Sequence, residues 1–272
     1  MERKNSKRKI CFLVAFMLIF SVAITGCVDT TEKTKDDSLE KVLNSGQLIV
    51  GIDGGFYSMA FYDENGILMG FDVDMAREVC SRLGVDYVPK KITWSEKEDI
   101  LKNNGVDCIW SAMSITPSRE ESMALSEPYL NNSFIFLVPG KSEARSSRDL
   151  INKVVGVQKG TTGYDALYSS DIKDDVSVIL DSYPNLLSKL QRGVLDAVLI
   201  DSTFAYHFIY TNEDKFYVLS DSLGDDEYAI GFRKSDLKLR DAIQEKIDEM
   251  MADGTLAEIS EKWFGSNITI AK

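Results

Sequence analysis

The feature that most limits the fold is a set of short apolar runs, each ending in small residues and giving way to a helical pattern. Gln47–Ile52 is almost continuously apolar, and 108–110, 134–139, Val154–Val157 and 195–200 read alike. Strands apolar on both faces belong to sheets covered on both sides, which is the mark of parallel α/β architecture. Between the runs, apolar residues recur at helical spacing. Val73, Ala76, Val79, Cys80 and Leu83 form one such series and Leu186, Leu187 and Leu190 a second. Ala242, Ile243, Ile247, Met250 and Met251 form a third, its methionines expected as core filler. Gly84, Gly193 and Gly254 stop them. At 272 residues the alternation fits one large or two medium domains.

The densest chemical signal is the stretch 107–119. A strand-type run empties into Ser111, Ala112, Ser114 and Thr116, small residues that let a ligand lie close to the backbone. Pro117 suits the first turn of a helix capped by Thr116, with Arg119 two residues further on. Open N–H groups at a helix start, beside a guanidinium fork, form a two-pronged receptor for a carboxylate. A surface arginine behind a buried strand is the competing reading.

Other loops add to this. Asp53, Gly54, Gly55 and Phe56 open an aromatic-rich loop that reaches Phe61, at the strand end where open α/β sheets bind ligands. Its rings either sandwich a ligand or plug the core. Asp63, Glu64, Asn65 and Gly66 signal a hairpin turn. Asp72 and Asp74 fall in a helix's first turn, where the dipole favours carboxylates, so they read as structural. Gln158, Lys159, Gly160, Thr161, Thr162 and Gly163 join a strand to a helix and suit an anion, without the Gly-Lys-Ser/Thr ending of a phosphate loop. Asp201 follows the run 195–200 at the place where a cation would be met, and it also suits a helix N-cap. Ser38 is expected to cap a short helix ended by Gly46, 216–220 and 228–232 to be a strand pair, and Trp263 to be buried.

The first 26 residues read as a targeting segment. Arg3, Lys4, Lys7, Arg8 and Lys9 precede an apolar stretch, 10–24, too short to span a bilayer comfortably. Ile24, Thr25, Gly26 and Cys27 resemble the bacterial lipoprotein signal, in which the cysteine is lipidated; a plain signal peptide and an uncleaved anchor are the alternatives. Losing five basic and one acidic residue takes the net charge from −12 to about −16, which argues against nucleic acid as a partner. The polar stretch 27–37 reads as a flexible tether. Of four cysteines, Cys80 and Cys108 then remain, either as buried thiols or as a disulfide. A single histidine, His207, makes a metal site improbable, and no cofactor is expected.

Several motifs recur together and in order: Gly70-Phe71-Asp72-Val73-Asp74, Ser114-Ile115-Thr116-Pro117-Ser118-Arg119, Val157-Gln158-Lys159-Gly160-Thr161-Thr162, Asp181-Ser182-Tyr183, Asp196-Ala197-Val198, and Asp253-Gly254-Thr255-Leu256 with Lys262-Trp263-Phe264-Gly265. In this the chain resembles the extracellular solute-binding lipoproteins of polar amino-acid ABC transporters, the family 3 solute-binding proteins. The resemblance implies a two-lobed periplasmic-binding-protein-like (type II) α/β fold, each lobe a mixed, mostly parallel sheet flanked by helices. Lobe 1 would comprise 38–138 and 229–272 and lobe 2 would comprise 139–228, with the first of two hinge crossings near 138–141. It also implies that Arg119 holds the α-carboxylate of a free amino acid, that Thr162 adds an N–H to that carboxylate from the opposite lobe, that Ser114 and the Ala112 carbonyl complete the lobe 1 side of the site, and that Asp201 holds the α-amino group. Gln158 and Thr161 belong to the same loop as Thr162. Phe56, Phe61 and Trp94 would line the pocket, with Asp53 and Ser111 near the ligand side chain. That pair favours a basic or polar side chain, and cystine also fits. The chain departs from the family's frequent Pro-Phe at Ser58-Met59 and from its frequent glycine at Ala112, and Trp110 is bulkier than the usual aliphatic.

The expected partners are the transporter's membrane subunits and, through the lipid, the outer face of the cell membrane; a monomer is expected. No nucleophile–base pair accompanies His207, so no catalytic residue is assigned. Two related uses of the fold compete: a cyclic-acid dehydratase-like enzyme and a ligand-sensing module. The lack of a kinase-like domain after Lys272 weighs against the sensor.

Overall fold

The computed structural model describes residues 36–212 and 215–270; the targeting segment, Cys27 and nearly all of the tether lie outside them. The apolar runs build one mixed sheet in two halves. In the first, β1 (Gln47–Ile52) lies between β5 (Asp86–Lys91) and β6 (Cys108–Ser114), parallel to both. In the second, β9 (Val154–Val157) lies between β10 (Ser177–Leu180) and β11 (Ala197–Asp201), again parallel. Two long antiparallel strands, β8 (Leu130–Pro139) and β12 (Phe216–Arg233), join them: β8 pairs with β11, β12 with β6, and each with the other. A short β7 (Met123–Leu125) adds to β12. Every residue of β6 and of β11 is buried, as near-continuous apolar runs require.

Helices cover both faces. Around the first half are α1 (Ser38–Ser45), α2 (Phe71–Leu83), α3 (Lys97–Lys102), α4 (Pro117–Ser122), α8 (Leu237–Asp253) and α9 (Thr255–Phe264). Around the second are α5 (Thr162–Ser169), α6 (Tyr183–Gln191) and α7 (Ser202–Thr211). The aromatic-rich loop folds into a small antiparallel sheet of β2 (Gly55–Phe56), β3 (Ala60–Tyr62) and β4 (Leu68–Met69). Its hairpin turn is held by Asp63, whose carboxylate accepts the Asn65 and Ile67 N–H groups.

Gly70 shows why the motif opening α2 begins with glycine. Its φ is +141°, and an added Cβ would sit 2.1 Å from the Met59 carbonyl oxygen. That close approach lets Phe71 and Asp72 donate their N–H groups to the Ser58 and Met59 carbonyls. The buried Asp72 carboxylate then accepts the Ala112 N–H at 2.7 Å and the Tyr129 hydroxyl at 2.8 Å. Asp72 thereby ties α2 to β6 at Ala112, a non-glycine residue held at φ +48°. Burial pushes the Asp72 carboxyl up to about 7 against the pull of those two bonds. Asp74 is also structural, accepting from Lys262 Nζ and Trp263 Nε1.

Some local expectations change. The cap of α1 is Asp37, and the Ser38 hydroxyl donates to Asp36 instead, because Asp36 also receives the Ser38 N–H. The two strands expected at 216–220 and 228–232 are one continuous β12, whose register shifts between Val218 and Asp225 absorb the polar stretch between them. Trp263 is half-buried, its ring edge packed on Phe61. Cys80 and Cys108 are buried free thiols; burial pushes Cys80 up to about 12 and Cys108 well above the usual thiol range, so neither is a ready nucleophile.

Candidate binding cleft

Between the two halves lies a narrow cleft, whose empty space of about 330 Å³ includes the solvent at its mouth. From the first half it is lined by Asp53, Phe56, Trp94, Ser111, Ala112, Ser114 and Arg119, and from the second by Gln158, Thr161, Thr162, Tyr183 and Asp201. Phe61 is the one expected residue that the fold places elsewhere, in tilted and edge-on contact with Tyr57, His207 and Trp263. The reason is local: β2 and β3 pair with Gly55 opposite Phe61, so Phe56 and Phe61 do not share a face.

Arg119 reaches the cleft as the sequence suggests. The Thr116 hydroxyl caps α4 by accepting the Arg119 N–H at 3.2 Å, with Pro117 at the helix start. The side chain is 6 % exposed, and Arg119 Nη1 donates to the Ser114 carbonyl at 2.7 Å. No carboxylate lies within ion-pair distance of it among the described residues. A guanidinium has five N–H donors, so a buried one with a single carbonyl partner retains most of its capacity for an anion. Burial lowers its proton affinity, with Asp226 and more distant acids opposing the shift.

Asp201 stands on the other wall at the end of β11. It occupies the N-cap position of α7 but makes no side-chain cap bond. Its carboxylate instead accepts from Asn132 Nδ2 at 2.6 Å and from the Tyr183 and Tyr228 hydroxyls, each at 2.8 Å. Three neutral donors hold the carboxylate in place without cancelling its charge, and burial raises its proton affinity against them. Asp226, bridged to Asp201 through the Asn132 amide at 3.3 Å, is pushed to about 6 by burial.

The Thr161 hydroxyl caps α5 by accepting the Tyr164 N–H, and the Thr162 hydroxyl is buried without a partner. Gln158 Nε2 donates to Asp53 across the cleft at 2.9 Å, while Gln158 Oε1 accepts the Tyr183 N–H. Burial raises the Asp53 carboxyl's proton affinity, the Gln158 bond opposing.

Tyr183, Asn132, Tyr228 and Asp226 escaped the sequence reading. Tyr183 carried a signal, since it opens a helix just past the carboxyl end of a strand, where ligand sites gather. The other three lie inside β8 and β12, and only strand pairing brings them to Asp201. Chemically, the cleft sets an unneutralised guanidinium against an unneutralised carboxylate, with a partnerless hydroxyl and aromatic faces between them.

Comparison with known proteins agrees with this arrangement. The chain matches the family described as bacterial extracellular solute-binding proteins, family 3, over residues 48–266. It is 28 % identical over 257 residues to the L-cystine-binding protein TcyJ of Escherichia coli K12, covering 94 % of this chain and 96 % of that protein. Among solved structures, a substrate-binding protein of an ABC uptake transporter from Streptococcus pneumoniae with bound histidine superposes with TM-score 0.83 at 27 % identity, covering 87 % and 99 % of the two chains. The structure of Tv2483 bound to L-arginine superposes with TM-score 0.82 at 29 % identity, covering 86 % and 97 %.

Proposed function

Because the chain belongs to the bacterial extracellular solute-binding proteins of family 3, we propose that its cleft captures a free amino acid with a basic or polar side chain for an ABC importer. The observation that carries this reading is Arg119, buried without an acid, facing across one cleft the similarly uncompensated Asp201. A zwitterion presents two opposite charges, and burying both is favourable only when each is paired. Arg119, with Ser114 and the Thr162 hydroxyl, takes the carboxylate; Asp201 takes the ammonium. Phe56 and Trp94 flank the side chain, and Asp53, with Ser111 and Gln158, meets its far end. Related proteins named for cystine and solved with arginine or histidine support a polar ligand.

A ligand that touches both halves favours their closed arrangement, which is the differential affinity that hinge closure needs. The strand pairing supports hinge crossings at 130–132 and 226–228, where β8 and β12 pass from one half to the other, rather than near 138–141, since Val138 and Pro139 pair with β12 deep in the second half. Cys27 serves as the lipid anchor on the outer face of the membrane; Cys27→Ser releases the protein into the medium, and its retention at the membrane would rule the anchor out.

A thermal-shift screen of the twenty amino acids with cystine and ornithine tests the reading, since a ligand that binds the native state raises its melting temperature. A rise with one or a few polar amino acids supports it. No rise with any of them, together with turnover of a prephenate-like acid, would replace it with the dehydratase alternative.

A further inference from the structure

A second cation lies buried at the seam between the halves. Lys97 is 5 % exposed at the first residue of α3, the end of a helix that disfavours positive charge. Its ammonium donates to the Trp94 carbonyl at 3.5 Å and, across the seam, to the Gly160 carbonyl at 3.3 Å, and lies 4.8 Å from the centre of the Trp94 ring. No carboxylate comes within ion-pair distance among the described residues. Gly160 belongs to the loop that carries Thr161 and Thr162, and it sits so close to the first half that an added Cβ would lie 3.3 Å from Ser95 Cα. The second half thus supplies one of the two carbonyls that stand in for the water of Lys97.

We infer that Lys97 and Arg119 together set a charge condition on closure: the halves shut stably only around a ligand that brings a carboxylate. Two buried cations without a carboxylate raise the free energy of the shut, empty cleft, because carbonyl dipoles and, at Lys97, the Trp94 ring face replace hydration incompletely. The chemistry of Lys97 agrees, since burial and the Arg119 charge push it down to about 8, with Glu98 and Asp165 opposing from further away. A carboxylate on Arg119 relieves both cations at once. A ligand lacking that charge leaves the penalty in place, so Lys97 selects for the carboxylate without touching it. This positioning role rests on the amino-acid reading above.

The test uses the full chain with spin labels on the exposed Asn103 and Lys173, one on each half. It compares Lys97→Met with Lys97→Gln, which is also uncharged but retains a donor for the Gly160 carbonyl. In both variants the ligand-free distance distribution shifts toward the shut arrangement. The probes L-arginine and L-argininamide, equal but for the carboxylate charge, then separate less in affinity, the ratio falling on the order of tenfold from the wild-type value. Wild-type distances and ratio in both variants would overturn the inference. So would Lys97→Met opening the protein while Lys97→Gln behaves as wild type, because the bond to Gly160 would then be a simple latch. If wild-type protein bound no amino acid, the functional reading would fail, while the ligand-free distances would still decide the charge condition.

Discussion

At the scale of single residues, the cleft depends on groups whose partners are incomplete. Arg119→Ala leaves a ligand carboxylate buried and unpaired, so calorimetry is expected to show a loss of about 2–5 kcal/mol in amino-acid affinity. Asp201→Asn removes the charge that meets the ammonium, and it should weaken an amino acid more than the matching desamino acid; equal losses would count against that role. Tyr183→Phe deletes one of three donors to Asp201 at 2.8 Å, and a loss of about 1 kcal/mol in affinity is expected, without loss of fold. Arg119 and Asp201 were legible in the sequence because each follows a buried strand in a motif with its own local geometry. Tyr228 and Asn132 were not, because inside a strand their residue types signal only pairing and burial.

At the scale of elements, turns and caps decide where these residues sit. Gly70→Ala would drive a Cβ into the Met59 carbonyl and demand φ +141° of an alanine, so chemical denaturation should show a loss of about 4 kcal/mol or failure to fold. The Thr116 cap matches sequence expectation because a cap is local chemistry, and the Thr161 cap of α5 follows the same chemistry. Phe61 went the other way: its residue type fits a binding pocket, but the β2–β3 register turns it toward His207 and Trp263. β12 shows a related difference, where a polar stretch that reads as a break runs on as one strand because β8 offers it partners.

At the scale of the whole molecule, folding withdraws several carboxylates from water. Asp72 is pushed to about 7 and Asp226 to about 6, and Asp53 and Asp201 are also raised. Over the range between these values and 3.8, Asp72 and Asp226 therefore keep a proton that the unfolded chain has already released. The stability these groups provide is complete below that value and is lost as pH rises through about 7. His207, lowered by burial, works in the opposite direction, but it is one group against four. The acids with lowered values, such as Asp253 at about 2, act only below this range. Ligand-free protein is thus expected to melt at a higher temperature at pH 5 than at pH 7.5, and calorimetric scans at the two values check this.

The sequence by itself determined the α/β class, the order of strands and helices, and the loops that carry Arg119, Thr162 and Asp201, because periodicity, caps and strand ends are properties of neighbouring residues. Only the tertiary structure decided which loops face one another, which ring turns away from the cleft, and that Lys97 is a buried charge and Asp226 a half-buried one. Those outcomes depend on the pairing of β8 with β12, which brings residues 94 positions apart, Asn132 and Asp226, into contact. No local pattern encodes an encounter over that separation.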